Sequence, residues 1–281
     1  MPNAYPSTIR GRIASNDLLL GASMYSRLPH IAAAVYQTEP DWVWIDQEHS
    51  PWGTESIGTI AVMGRQMGVA PVIRVAWNDP AQIKKAYDVG AVGVMVPQVD
   101  NEKEAAEAIK YAKYPPIGER GIAPFFATYM GISGDDVLKN ANSETVLILQ
   151  MESAEAYERI DETLKLKDFE VLLVGPADLS ASLGIPGKLS HPKVENIMVD
   201  VAAKMRKQGR GKALSTTWND PALARKWIAE GYRMMNVSNT LAQGTVEMKR
   251  MFTEMREEFG KPGRSTAASG STARSAAGRK G

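Results

Sequence analysis

The chain has 281 residues, 44% hydrophobic and 23% charged, which is ordinary for a globular protein. Its formal charge of +1 is uneven: residues 261–281 carry five basic residues and no acid, which leaves residues 1–260 with 28 basic and 32 acidic residues and a net charge of −4. A mildly acidic body gives no electrostatic basis for nucleic-acid binding. The lack of cysteine excludes disulfides and thiolate chemistry, and no apolar run is long enough to cross a bilayer. We therefore expect a cytoplasmic protein with no nucleic-acid or membrane partner.

Short apolar segments alternate with helical patterns along the chain. We predict eight strands, near Leu18–Gly21, Trp42–Ile45, Pro71–Val75, Val92–Val96, Val146–Gln150, Val171–Val174, Lys212–Leu214 and Met234–Val237. We predict helices at Pro80–Val89, Asn101–Ala112, Ala154–Leu164, Lys193–Gln208, Pro221–Glu230 and Thr240–Phe259. Eight strands alternating with helices predict a closed (β/α)8 TIM barrel. An open doubly wound sheet is the alternative, but the expected Gly-x-Gly-x-x-Gly turn does not follow the first strand.

Three segments do not fit a minimal barrel. The interval from Val96 to Val146 contains a Pro- and Gly-punctuated stretch with aromatic residues, which is typical of a functional lid or a subunit contact. The helix at Thr240–Phe259 is one more than the barrel needs. After Gly260 the chain consists largely of Gly, Ser, Ala, Thr and Arg, which cannot form a core. We therefore predict a barrel domain over residues 1–260 and a disordered basic tail over residues 261–281.

The segment that follows the second predicted strand carries the first candidate site residues. An apolar run ends in Asp46, Glu48 and His49, and then breaks at Ser50-Pro-Trp-Gly53. In a parallel barrel, residues at the carboxyl ends of the strands lie at the face that carries active sites. His49 is one of three histidines in the chain and is a candidate for proton transfer near neutral pH.

Three other strand ends carry polar residues that would meet at the same face. Arg74 follows the third strand, Gln150 and Glu152 follow the fifth, and Asp178 follows the sixth. Two carboxylates from neighbouring strands repel each other unless a cation lies between them. Two carboxylates and waters form an incompletely filled oxygen site that suits Mg²⁺ or Mn²⁺.

Each of these residues also has a purely structural interpretation. Ser153, beside Glu152, is placed to cap the following helix, and Asp178 could be a cap as well. An arginine after a buried strand is commonly half of a salt bridge, and a single histidine in a loop is commonly a surface residue. The coincidence of all of them on one barrel face favours the functional interpretation.

The motifs quoted above resemble those of one known family. Asp41-Trp-Val-Trp-Ile-Asp-Gln-Glu-His49, Pro71-Val-Ile-Arg74, Tyr114-Pro-Pro-Ile-Gly-Glu-Arg-Gly121, Gln150-Met-Glu-Ser153 and Gly175-Pro-Ala-Asp-Leu-Ser-Ala-Ser-Leu-Gly184 occur in order. Over roughly residues 15–255 the chain resembles the HpcH/HpaI aldolases, metal-dependent class II pyruvate aldolases of the phosphoenolpyruvate/pyruvate superfamily. The resemblance implies a (β/α)8 barrel that forms a homo-oligomer, either a hexamer or a trimer of dimers. It also implies that the C-terminal helix is exchanged between subunits.

The resemblance also implies a role for each site residue. Glu152 and Asp178 match the ligands of a divalent metal, Mg²⁺, Mn²⁺ or Co²⁺, and Arg74 matches the arginine that stabilises the pyruvate enolate. His49 matches the acid/base residue, with Asp46 and Asp88 as its acidic partners. The residues expected to bind the 2-oxo acid are Arg74, Gln150, Ala177, Asp178 and Leu214.

These roles predict an aldolase that cleaves a 4-hydroxy-2-oxo acid to pyruvate and an aldehyde through a pyruvate enolate. The motifs contain no lysine, which argues against a Schiff base. Oxaloacetate decarboxylation, including chemistry like that of macrophomate synthase, needs the same enolate and is the main alternative; citrate-lyase-like chemistry on CoA esters is more remote. A non-catalytic barrel would be expected to have lost at least one of these residues. Ser23, the loop after Gly121 and Asn236–Thr240 depart from the family pattern, which leaves the aldehyde open.

Overall fold

Parallel strands and helices alternate throughout the barrel of this protein, for which a computed structural model describes residues 5–209 and 211–260. The strands are β1 (Leu19–Met24), β2 (Trp42–Asp46), β3 (Ala70–Arg74), β4 (Gly93–Val96), β5 (Val146–Met151), β6 (Val171–Val174), β7 (Ala213–Thr217) and β8 (Tyr232–Asn239). The α-helices are α1 (Ile9–Ala14), α2 (Pro29–Tyr36), α3 (Thr54–Gln66), α4 (Pro80–Asp88), α5 (Glu102–Ala112), α6 (Phe126–Met130), α7 (Gly134–Glu144), α8 (Ala154–Glu158), α9 (Ile160–Lys165), α10 (Pro176–Ser182), α11 (Pro192–Gln208), α12 (Pro221–Ala229) and α13 (Thr240–Phe259).

The eight strands pair in chain order, and β8 pairs with β1 to close the barrel. This closure confirms the predicted TIM barrel and rules out the open sheet. Alternate residues of each strand point into the barrel, where they form one core, or outward against the helices, where they form a second. Large and small side chains interlock in the interior: a Cβ at Gly21 would lie 2.3 Å from the Trp42 ring.

Two helix boundaries follow from residues that cap them. Asn101, predicted as the first residue of a helix, is the N-cap of α5, where its side chain accepts hydrogen bonds from the amides of Lys103 and Glu104. Asp220 caps α12 in the same way. The predicted helix at Ala154–Leu164 is instead two short helices, α8 and α9, which meet at Arg159.

In the long interval between β4 and β5, the segment that follows α5 lies at the amino end of the barrel. Lys113, directly after α5, forms an ion pair with Glu170, the residue that precedes β6. Further along, the main chain of Asn142 in α7 accepts a hydrogen bond from Arg10 in α1. Since active sites of such barrels lie at the carboxyl end, this segment is not a lid over its own pocket. The prediction of a lid was wrong, while a role in subunit contact stays a prediction.

The chain divides into two units, residues 1–240 and residues 241–281. Taken by itself, α13 exposes apolar side chains along its length: Leu241, Val246, Met248, Met251, Phe252, Met255 and Phe259. The predicted tail, residues 261–281, lies outside the described residues. No helix in the described ranges is long and apolar enough to span a membrane.

Candidate active site

The end of β2 and the end of β3 place an aspartate and an arginine side by side. Asp46 and Arg74 are direct neighbours in the β2–β3 register, and both point into a pocket of about 310 Å³. Nε and Nη2 of Arg74 donate to Oδ1 and Oδ2 of Asp46, each at 2.8 Å. The guanidinium also lies over the Trp44 ring, 4.7 Å from its centroid. A bidentate pair stacked on an aromatic ring holds the arginine in one orientation.

Glu48 also forms an ion pair with Arg74. Its Oε2 lies 2.7 Å from Nη1 of Arg74, and its main-chain amide donates to Oδ1 of Asp46. Burial raises the pKa of Glu48, against the lowering effect of Arg74. Burial alone would lower the pKa of Arg74, but its hydrogen bond to Asp46 and the charges of Asp46 and Glu48 outweigh that effect and raise it. The arginine is therefore a permanently charged group.

His49 lies at the mouth of the same pocket, with 62% of its side chain exposed. Its Nε2 is 3.7 Å from Oε2 of Glu48. Asp46 was predicted as the acidic partner of His49. In the structure, both carboxylate oxygens of Asp46 accept hydrogen bonds from Arg74. Glu48 was noted in the sequence but given no role, although it stands directly before His49.

Glu152 follows β5 directly and lies beside Gln150 and Gly175, which line the pocket. The main-chain amide of Gln98 donates to its Oε1 at 2.9 Å, and the side-chain amide of Gln150 donates to its Oε2. Gly175 makes room for this carboxylate, because a Cβ there would lie 2.8 Å from Oε2. Burial, and after it the charge of Asp178, raises the pKa of Glu152 to about 7. Ser153 does cap α8, so the cap and the carboxylate are separate features.

Asp178 and Ala177 lie in the first turn of α10 and line the pocket. Asp178 does not cap this helix: the N-cap residue is Gly175, and no side chain bonds the first turn there. Its carboxylate is therefore exposed toward the pocket and near enough to Glu152 to affect its pKa.

The two carboxylates suit a hard divalent cation. In residues 5–209 and 211–260 no group of three or more His, Cys, Asp and Glu side chains is placed to hold a metal. Oε1 of Gln150 is buried in the same pocket with no hydrogen-bond partner, and it is one more oxygen of the type such cations prefer.

The sequence did not predict the part of the pocket that β1, β7 and β8 form. Ser23, Thr217 and Asn236 point inward from β1, β7 and β8. Nδ2 of Asn236 donates to Oγ of Ser23 at 2.8 Å and to Oγ1 of Thr217 at 3.0 Å. Ser23 and Asn236 were noted only as departures from the family pattern, although counting alternate residues along the strands would have turned both inward.

Leu214 is the clearest correction. It was predicted as a substrate-binding residue at the end of a strand, but β7 continues to Thr217. Leu214 belongs to the core between barrel and helices, and it lines a cavity at the amino end together with Ile13. Because side chains alternate along a strand, Ser215 and Thr217 point inward instead.

Asp88 is likewise not brought to this pocket within one chain. It is the last residue of α4, which runs back from the carboxyl to the amino end of the barrel. There it lines a small cavity with Arg65, Arg120 and Tyr114, and burial raises its pKa to about 6. The sequence located the residue correctly on a helix, but not the end of the barrel to which that helix leads.

Known proteins resemble this chain over most of its length. The model of the HpcH/HpaI aldolase/citrate lyase family matches residues 24–244. A 4-hydroxy-2-oxo-heptane-1,7-dioate aldolase from Escherichia coli (strain ATCC 8739) is 30% identical over 250 residues, which covers 88% of this chain and 93% of the relative. An HpcH/HpaI aldolase/citrate lyase family protein from Burkholderia cenocepacia J2315 has a TM-score of 0.81 at 29% identity, with coverage of 89% and 99%. Macrophomate synthase, at 22% identity, TM-score 0.76 and coverage of 92% and 93%, shares the fold.

Proposed function

Since this chain belongs to the HpcH/HpaI aldolase/citrate lyase family, we propose that it is a divalent-metal-dependent aldolase acting on a 4-hydroxy-2-oxo acid. The products are pyruvate and an aldehyde. Membership confirms the predicted family and the predicted class of enzyme, a lyase of the aldolase type. The length of the aldehyde, the metal and the oligomeric state are parts of the proposal.

The observation that carries this proposal is the fixed cation of Arg74 in one pocket with Asp178, whose charge acts on Glu152 beside the pocket residues Gln150 and Gly175. In retro-aldol cleavage the C4 hydroxyl loses its proton, the C3–C4 bond breaks, and its electron pair moves through C2 onto the oxygen of the 2-oxo group. Charge then develops on that oxygen. A cation that is already oriented stabilises this charge without further reorganisation. The enolate carbon C3 finally takes up a proton to give pyruvate.

Glu152 and Asp178 would hold the divalent cation, with Gln150 beside them. Such a cation, when bound, polarises the 2-oxo group and adds to the charge of Arg74. Ala177 and Asp178 lie in the first helical turn, where main-chain N–H groups have no intrahelical partner. We propose that these amides bind the carboxylate of the 2-oxo acid.

His49 is the proposed acceptor of the C4 hydroxyl proton. It is exposed at the pocket mouth, so it can exchange the proton with water, and its Nε2 lies 3.7 Å from Oε2 of Glu48. Asp46 serves enolate stabilisation instead, because it orients Arg74.

Asp88 can take part only if a neighbouring copy of the chain supplies it, because in its own chain it lies at the other end of the barrel. We therefore propose a homo-oligomer, either a hexamer or a trimer of dimers. The exposed apolar residues of α13 support association, and exchange of this helix between copies is part of the same proposal.

Oxaloacetate decarboxylation is the second candidate. The observation that favours it is the Arg74 cation held by Asp46 and Glu48, which would stabilise the enolate formed in either reaction. Loss of CO₂ from C3 leaves its electron pair on the same enolate. The two reactions therefore share Arg74 and differ in their need for His49.

A panel of substrates and metals tests this proposal. Pyruvate release is measured from several 4-hydroxy-2-oxo acids and from oxaloacetate, after EDTA treatment and with Mg²⁺, Mn²⁺ or Co²⁺ restored. We expect release that EDTA abolishes and metal restores. No release from any 2-oxo acid with any of the metals would refute the proposed function and would favour a non-catalytic barrel.

A further inference from the structure

Gln98 has a backbone conformation that residues other than glycine rarely adopt. Its φ is 51°, in the left-handed region, where the Cβ atom crowds the backbone. It lies in the loop between β4 and α5, at the carboxyl end of the barrel. The other described non-glycine residues with positive φ precede β1, β2 or β6: Thr8, Asn16, Glu39 and Asp168. Among the described residues, Gln98 is therefore the one of this kind that lies on the same face as the candidate site.

The left-handed conformation of Gln98 directs its main-chain amide toward Glu152. The N–H donates to Oε1 of this carboxylate at 2.9 Å, while the side-chain amide of Gln150 donates to Oε2. The N–H lies in a rigid peptide plane, and φ sets how that plane is turned relative to the rest of the residue. A residue forced to an ordinary negative φ at this position would therefore turn the donor away from Glu152 or displace the loop.

Contacts on both sides of Gln98 hold it in this strained conformation. The main-chain amide of Val99 donates to the main-chain oxygen of Gln150 in β5 at 3.1 Å. The side-chain Nε2 of Gln98 lies 3.4 Å from Oε1 of Glu48, whose other carboxylate oxygen is paired with Arg74. A strained residue persists only where its surroundings fix it in this way, and such residues are concentrated at functional sites.

Two interpretations of this geometry make different predictions. If the strain only shapes the loop between β4 and α5, a substitution that disturbs it destabilises the fold and has no specific effect on Glu152. If the strain aims the amide, the orientation of the Glu152 carboxylate depends on the φ of residue 98 and not on its side chain. The hydrogen bond favours the second interpretation, because Glu152 is buried and a buried carboxylate needs donors.

We propose that Gln98 is a positioning residue for Glu152: its left-handed backbone aims the amide that orients this carboxylate for a divalent cation. Groups that hydrogen-bond a metal-binding side chain fix its orientation, and their loss typically weakens metal affinity by about 10- to 100-fold. This inference rests on the proposed function, in which Glu152 binds the metal. Metal affinity then depends on one backbone angle in a loop that supplies no metal ligand.

Three substitutions at residue 98 separate the effect of the backbone from that of the side chain. Glycine adopts a positive φ freely and asparagine does so more readily than most residues, whereas valine is strongly disfavoured there. Calorimetric titration of the full-length, metal-free protein measures the affinity for Mn²⁺. We expect Gln98→Gly and Gln98→Asn to bind Mn²⁺ nearly as tightly as the wild type, and Gln98→Val to bind it about 10- to 100-fold more weakly. Wild-type affinity in Gln98→Val, or an equal loss in all three variants, overturns the inference.

Glu39 provides the matched control. It has a φ of 56°, is exposed, and lies between α2 and β2, outside the pocket. Glu39→Val is expected to lower the melting temperature about as much as Gln98→Val does and to leave the affinity for Mn²⁺ unchanged. An equal loss of affinity in both variants overturns the inference, because the effect would then come from the stability of the fold. Gln98→Thr, which is also β-branched, repeats the measurement if Gln98→Val does not fold.

The two proposals fail in different ways. If the wild type binds Mn²⁺ and releases pyruvate while Gln98→Val keeps wild-type affinity, the proposed function stands and the positioning role of Gln98 is wrong. If the wild type binds no divalent metal, or if Glu152→Gln binds Mn²⁺ as tightly as the wild type, the metal site of the proposed function is wrong and the inference falls with it.

Discussion

The two halves of the pocket are built from different kinds of side chain. On the half formed by β2, β3, β5 and β6, the functional groups are ionic and hold one another by charge, as Asp46, Glu48 and Arg74 do. On the half formed by β7, β8 and β1, the groups are uncharged and are joined by amide and hydroxyl hydrogen bonds. The charged half suits the bond-breaking step that every 2-oxo acid shares. The neutral half suits selection among aldehydes.

This difference also predicts which half tolerates change. Removing one member of a buried charge network leaves the others without partners, at a cost of about 3–5 kcal/mol. Replacing a neutral hydrogen-bonding group costs about 1–3 kcal/mol. Substitutions in the charged half should therefore abolish activity, while substitutions in the neutral half should redirect it.

The largest effect is expected from Arg74→Lys, which keeps the charge but loses the planar fork that binds Asp46. We expect kcat to fall by about 10²–10³-fold for both aldol cleavage and oxaloacetate decarboxylation, because both pass through the enolate. Steady-state kinetics with both substrates measures the loss. Arg159→Lys, at an exposed ion pair with Glu102, is the control and should behave as the wild type. Near-normal decarboxylation in Arg74→Lys would show that the guanidinium does not stabilise the enolate.

A smaller and selective effect is expected from His49→Ala. If His49 transfers the proton of the C4 hydroxyl, its loss should slow aldol cleavage by about 10²-fold or more and slow decarboxylation far less. The ratio of the two rates is the measurement. His30→Ala, at an exposed position of α2, is the control. Equal losses in both reactions would show that His49 does not act specifically on the C4 hydroxyl proton.

The sequence anticipated the charged half and not the neutral half, for a physical reason. A charge directly after an apolar run, as at Arg74 or Glu152, stands out because burial of a charge needs a function or a partner. Serine, threonine and asparagine after such a run look like the start of a loop. The polar residues Ser215–Thr217 therefore made β7 seem to end at Leu214, and the inward face was assigned to the wrong residue.

The fold could be predicted because most strands are buried on both faces. Runs such as Val146–Leu149 are apolar throughout and marked several of the eight strands, whereas the predicted seventh strand, Lys212–Leu214, is short and begins with a charge. The ion-pair partners of the charged residues could not be predicted from the sequence. The pairing of Asp46 with Arg74 depends on the register of two strands that are separated by α3, and the location of Asp88 depends on the direction of α4. Local pattern contains neither piece of information.

Within the charged half, the binding of metal should depend on pH. Because burial and then Asp178 raise the pKa of Glu152 to about 7, this carboxylate is ionised above pH 7 and protonated below it. A cation must displace the proton at low pH, so affinity for Mn²⁺ should fall by up to about tenfold per pH unit below 7. Calorimetric titration of the metal-free protein at pH 6, 7 and 8 measures this. Glu152→Gln cannot titrate and should bind Mn²⁺ weakly at all three values; constant affinity in the wild type would contradict the assignment.

The smallest effect is expected from Thr217→Val, which keeps the shape of the side chain and removes one hydroxyl from the uncharged half of the pocket. We expect KM for glycolaldehyde to rise about three- to tenfold, the effect of one neutral hydrogen bond, and KM for propanal to change little. Thr216→Val is a sharp control: its hydroxyl also makes a hydrogen bond, to the main chain of Val174, but the residue faces away from the pocket. Thr216→Val should lower the melting temperature without altering the choice of aldehyde. If both variants changed that choice equally, the effect would arise from strand β7 as a whole. The proposed division of the pocket into a charged half and a neutral half would then be wrong.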